Sequence, residues 1–239
     1  MVTIPRQFNG PPDSGNGGWV CGLVAHERLA QDHTGPVTSR LRMPPPLDTP
    51  LAWEHDADET RLLTHGGALV GTAGPGAFTR EPPPFLDTSA VEAGLAAYPG
   101  FTTHPFDQCF TCGTARGEGD GLRIFSGPVG DDLTAAPWTV HPSFAEADGT
   151  VGVPVAWAAL DCPGGWAADF SAQPMVLGTM TAEVLSAPVA GETYHAVGQL
   201  AAREGRKFFT GTALYTPAGE LVGRAEQVWI EIDLATFGS

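Results

Sequence analysis

The stretch "WAALDCPGGW", residues 157–166, sets one carboxylate, Asp161, inside an apolar run, with Pro163, Gly164 and Gly165 close behind. Burying an unpaired carboxylate costs roughly several kcal/mol or forces it to take up a proton. Two readings compete: a helix end facing water, and an acid in an apolar pocket, able to act as general base or nucleophile. Pro163 disfavours α conformation at Cys162, so a helix through this run ends or kinks there. The acid would then lie near a helix C-terminus, where dipole and burial both raise its pKa, a direction that suits a base. A second candidate is "SGNGGWV" (14–20). There Ser14 or Asn16 can cap a helix, and Gly17 and Gly18 let a ligand approach its N-terminal N–H groups. The plain alternative is a cap with close packing.

Thiols form the rival signal. In "HPFDQCFTCG" (104–113), Cys109 and Cys112 have metal-hook spacing, with His104 nearby. A structural zinc site wants four ligands, and the sequence holds no second CxxC. Cys21, Cys162 or a histidine from elsewhere would have to complete it. Idle buried thiols are the simpler reading, so no cofactor is expected, and structural zinc or a redox pair stays open. Arg206 and Lys207, the latter the only lysine, read as a solvated hairpin tip or as contacts for a small anionic ligand.

Composition narrows the classes of function. The chain has 239 residues, 42% of them apolar, and a formal net charge of −15, which fits a globular protein able to bury a core. Nucleic acid and anionic membrane surfaces demand clustered basic residues, so neither is an expected partner. The N-terminus has no apolar signal-like core and no run is long enough to span a membrane. Four cysteines in a chain this long do not make a disulfide framework. These readings point to the cytoplasm.

The elements that must position these residues are written twice. "LLTHGGALVGTA" (62–73) resembles "LYTPAGELVGRA" (214–225), and "VTSRLRMPPPLDTPLAWE" (37–54) lies over "MTAEVLSAPVAGETYHAV" (180–197). Each block follows a Gly-flanked apolar run suited to a helix, 16–29 and 153–168. The expected organisation is a first half over 1–77, a connector over 78–121 and a second half over 122–239. The connector opens with a proline run and carries a short helix capped by Thr88 or Ser89. In "LVGRAEQVWIEI", Gln227 shares parity with Ala225 and Trp229, a polar amide on a face able to point inward.

A helix wrapped by a long antiparallel sheet, with the unit repeated, resembles a double hotdog protein of α+β class. It is most similar to acyl-CoA thioesterases of the acyl-CoA thioesterase II type. The resemblance implies a small-molecule acyl-thioester substrate, an acyl-CoA first of all, with its chain length open. It also implies hydrolysis and three catalytic positions. These are Asp161 in "AALDCP", Thr179 in "LGTMTAE", and Gln227 in "GELVGRAEQVWIEI". It leaves a homodimer open. Asn16, Gly17 and Gly18 would supply oxyanion donors, and Arg206 and Lys207 contacts for coenzyme A phosphates. The Cys162-Pro163-Gly164-Gly165 continuation departs from the family pattern. Two alternatives stand beside hydrolysis. One is hydration or dehydration of an acyl-thioester, for which His26 is the candidate helix histidine. The other is a binding module without chemistry.

Overall fold

Period-two burial organises the sheet. Along Leu221–Glu231, Ala225, Gln227 and Trp229 are buried, while Glu226, Val228 and Ile230 are partly exposed, as a strand covered on one face requires. Gln227 therefore points inward. The computed structural model describes residues 1–31, 33–235 and 237. Its first four strands are β1 (Val37–Leu41), β2 (Leu51–His55), β3 (Thr60–Thr64) and β4 (Leu69–Pro75). The later six are β5 (Gly127–Gly130), β6 (Leu133–Thr139), β7 (Met175–Val184), β8 (Thr193–Glu204), β9 (Lys207–Tyr215) and β10 (Leu221–Glu231).

All pair antiparallel in one sheet, in the order β2-β3-β4-β1-β7-β10-β9-β8-β6-β5. The quartet β2-β3-β4-β1 mirrors β8-β9-β10-β7, so the internal sequence repeat is a repeat of topology. The chain is a double hotdog of α+β class. The halves meet where β1 pairs β7, with Val37 opposite Ala182 and Arg40 opposite Thr179. The second copy is the longer: β8 and β9 have 12 and 9 residues, and β2 and β3 have 5 each.

Among the described residues four α-helices cover the sheet or its connections: α1 (Gly17–Leu29), α2 (Thr88–Ala96), α3 (Val153–Ala159) and α4 (Cys162–Ala167). Asn16 caps α1, its side-chain oxygen accepting the Trp19 N–H at 2.8 Å. The cap of α2 is Asp87, not Thr88 or Ser89: its carboxylate accepts the Ala90 N–H at 2.9 Å, and the helix begins at Thr88. The run 153–168, expected as a helix that ends or kinks at Cys162, is two helices that break just before it. Pro163 has no N–H to offer the Ala159 carbonyl, so α3 stops and α4 restarts, with Asp161 at the joint at φ −84°, ψ −77°. No helix among the described residues is long and apolar enough to cross a membrane.

The two halves lock through a close helix contact. Gly18 and Gly22, one turn apart on α1, face Trp157 and Asp161, also one turn apart. A Cβ on Gly22 would lie 2.6 Å from the Trp157 Cβ and 2.8 Å from the Pro154 Cα, and one on Gly18 would collide with the Asp161 Cβ. Only glycine allows this approach, and the approach carries Asp161 to the start of α1. Because β1–β7 pairing and the α1–α3 contact both join the halves, residues 1–104 and 114–239 expressed separately are expected to be insoluble or molten. Cooperative melting of each fragment alone would contradict this.

Candidate active site

Asp161 is 1% exposed. Its Oδ2 accepts the Gly18 N–H at 2.9 Å and the Asn16 side-chain amide at 3.2 Å. Its Oδ1 has no hydrogen-bond partner among the described residues. Asp161 does follow directly on the C-terminus of α3, as the sequence suggests, but its carboxyl turns away from that end. It crosses to the other half and sits at the N-terminus of the 13-residue α1, where the dipole favours an anion. Burial is the largest influence and pushes the Asp161 pKa up to about 8, with Cys109 acting in the same direction. The Gly18 N–H and the Asn16 amide pull it down but do not outweigh burial. The net direction is upward, the direction that suits a general base.

Asn16 joins the two halves at this point. One side-chain atom caps α1 and the other reaches Asp161 and, at 3.6 Å, the Cys109 sulfur. Gly17 opens α1, lines the adjoining cavity and offers an N–H that no protein acceptor takes among the described residues. The cavity has a volume of about 250 Å³. Its walls are mainly apolar, including Leu41, Pro45, Phe106, Phe170, Leu177 and Trp229, and Asp161 and Cys162 also line it. Both halves and the connector contribute, so this cavity does not come from the second half alone.

Gln227 lies beneath the joint, 1% exposed, and makes no hydrogen bond to the carboxylate. Its amide donates to the main-chain carbonyls of Leu160 at 2.5 Å and Asp161 at 3.4 Å, and to the Thr212 hydroxyl at 2.9 Å. Its oxygen accepts from Thr210 at 2.9 Å. The carbonyls at the end of a helix need partners from outside it, and Gln227 supplies them where α3 breaks off.

Thr179 is not brought to this site. It is half-buried and paired with Val228 and Arg40, while its neighbour Met180 opposes Gln227 on the inner face. A bulge at Gly178, between the Leu177–Trp229 and Thr179–Val228 pairs, shifts the parity. Met175 and Leu177 face inward before it, Met180 and Ala182 after it. Arg206 and Lys207 sit at the β8–β9 hairpin tip, where Arg206 donates to the Glu231 carbonyl at 3.1 and 2.7 Å. Neither lines the cavity, and exposed His26, in the last turn of α1, does not line it either.

The thiols gather differently from the sequence pattern. Cys109, Cys112 and Cys162 are buried with sulfurs all within 4.8 Å of one another, and Cys21 is not among them. Hydrogen bonds from Cys112 and Cys162 hold the Cys109 thiol well below its ordinary range, while burial pushes the other two up. His104 keeps both ring nitrogens on backbone: Nδ1 accepts the Phe106 N–H at 3.0 Å, and Nε2 lies 3.1 Å from the Cys112 carbonyl. The sequence offered Cys162 only as one of several completing ligands. Nothing in it signals that Asn16 meets Asp161, 145 residues away.

No protein-family model and no curated protein matches this sequence. Solved structures do. A "putative thioesterase" from Novosphingobium aromaticivorans is 14% identical, and the match covers 97% of this chain and 94% of that one at a TM-score of 0.60. The E. coli PaaI protein of the phenylacetic acid degradation operon is 14% identical over 47% of this chain and 81% of its own, at a TM-score of 0.43. A thioesterase superfamily protein from Shewanella loihica is 23% identical over 46% of this chain and 91% of its own, at 0.39. At these identities the likeness is one of fold, and along almost its whole length this chain has the hotdog fold of the Novosphingobium protein.

Proposed function

We propose that this protein hydrolyses a small acyl-thioester, with Asp161 as the reacting carboxylate and the N-terminus of α1 as the oxyanion site. The observation that carries the reading is the pairing of two unused groups beside one apolar cavity. The free Oδ1 of Asp161 can take a proton or attack, and the free N–H of Gly17 can receive a developing negative charge. The acyl group occupies the cavity and its carbonyl oxygen turns to the Gly17 N–H. Asp161 removes a proton from water attacking the carbonyl carbon, or attacks that carbon itself, breaking the C–S bond and expelling the thiolate to form a mixed anhydride. Water then opens the anhydride, regenerating the Asp161 carboxylate and giving its proton to the thiolate. In the first route the protonated Asp161 returns its proton to the departing thiolate. Backbone donors fixed by a helix are well suited to the tetrahedral intermediate, because they need no reorganisation when charge appears.

The cavity lies below the usual ligand-pocket range of about 300–1,000 Å³. The acyl group is therefore small and the thiol carrier stays largely outside, with acyl-CoA the first carrier to test. Thiol release measured across short, medium and aromatic acyl-CoAs tests the activity. Binding of these compounds without thiol release would assign a binding module instead. The exposed position of His26, away from the cavity, gives hydration or dehydration no support.

Gln227 is a positioning residue in this scheme. Gln227→Ala unpairs the Leu160 carbonyl and two threonine hydroxyls, so stability is expected to fall by about 1–3 kcal/mol. With the end of α3 loosened, kcat is expected to fall by about tenfold while KM hardly moves. A raised KM with unchanged kcat would place Gln227 in substrate binding instead.

A further inference from the structure

No sulfur of the three-cysteine cluster carries a step of the proposed hydrolysis, although Cys109 and Cys162 line the same cavity, and the cluster's geometry is more specific than packing requires. Cys109 and Cys112 come from the connector and Cys162 from the first turn of α4, so the fold has to bring them together. The Cys109 and Cys162 sulfurs lie 3.7 Å apart. Two thiolates on a tetrahedral zinc ion, each at about 2.3 Å, stand about 3.8 Å apart. A disulfide would use two of the sulfurs at about 2.05 Å and leave the third idle; a metal ion uses all three.

The loop that presents the thiols is held in advance. Tyr98 donates to the Cys112 carbonyl at 2.8 Å, and the Gly113 N–H donates to the Cys109 carbonyl at 2.8 Å. A Cβ on Gly113 would lie 2.5 Å from the carbonyl oxygens of Asp107 and Cys109, so the turn after the second cysteine depends on glycine. The Asn16 amide donates to the Cys109 sulfur at 3.6 Å. A donor of this kind orients and stabilises a metal-bound thiolate.

We propose that Cys109, Cys112 and Cys162 bind one zinc-class divalent ion whose fourth position opens toward the cavity. Binding exchanges three thiol protons for one divalent cation and leaves a cluster of net charge −1, which the Asn16 amide donor on Cys109 offsets in part. Among the described residues no further Cys, His, Asp or Glu atom joins the three sulfurs. Cys109 and Cys162 line the cavity and Cys112 does not. The fourth ligand therefore comes from the cavity side, as water or a small donor. The site stands whether or not Asp161 hydrolyses thioesters, and its test does not use turnover.

Protein produced with zinc in the medium is expected to carry about one ion per chain. Cys112→Ala and Cys162→Ala should each reduce that content at least about tenfold, and Cys21→Ala should leave it unchanged. If the cluster variants fail to fold, metal-free wild type gives the answer. One equivalent of cobalt(II) should produce sulfur-to-cobalt charge-transfer absorption that saturates at a 1:1 ratio. Added cysteamine should shift that band; an unmoved band would overturn the cavity-side position. Wild type without metal and without cobalt absorption, or with a disulfide within the cluster by mass, would overturn the site itself.

Discussion

Asp161→Asn is expected to fold, to bind the acyl-thioester and to release thiol on the order of 10²–10⁴ times more slowly than wild type. Asparagine keeps the shape of the side chain, and its oxygen can still accept from the Gly18 N–H and the Asn16 amide that hold Oδ2. What it loses is the oxygen able to take a proton or attack a carbonyl. Stability should hold or rise, because a group nine-tenths buried or more no longer has to ionise to do its work. Parallel assays of thiol release, ligand binding and thermal melting separate the outcomes. Wild-type rates in a well-folded Asp161→Asn protein would leave Asp161 as a joint between two helices and remove it from the chemistry.

Gly22→Ala is expected to destabilise the protein by about 1–3 kcal/mol, the reverse of what helix propensity alone predicts. In a free helix the same change stabilises by about 0.5–1 kcal/mol. Here the new methyl group meets the Cβ of Trp157 and the Cα of Pro154, atoms fixed to the backbone that cannot swing aside. The helices must part, and the packing of buried Trp157 is lost with them. Gly18→Ala presses on Asp161 in the same way and should lower turnover per folded molecule as well. Chemical denaturation of both variants checks the sign directly: a stabilised Gly22→Ala would show that α1 and α3 have room between them.

Much of the sheet could be read from local pattern. The alternation through Ala225, Gln227 and Trp229 places one face inward, and the two copies of the Leu-Val-Gly hairpin correspond to β3–β4 and β9–β10. Asp161 and the cap at Asn16 each stand out by residue type, one as a charge in an apolar run, the other as an amide before glycines. Long-range geometry was not legible. A one-residue bulge at Gly178 turns Thr179 to the outer face, and no periodicity in "LGTMTAE" announces it. Pro163 signals a break, but the break's result, a carboxylate aimed at the other half, depends on tertiary packing. The metal-hook spacing of Cys109 and Cys112 was visible, whereas the third thiol at Cys162 is a neighbour only in space.

The β1–β7 seam has a consequence for concentration. The carboxylate sits on one side of this seam and the helix N-terminus that receives it on the other, and one polypeptide carries both. In an assembly of separate half-sized chains, such a site would be subject to mass action and would come apart on dilution. Tethering turns that encounter into an intramolecular one with a fixed effective concentration. The pocket therefore survives at any protein concentration at which the chain itself stays folded.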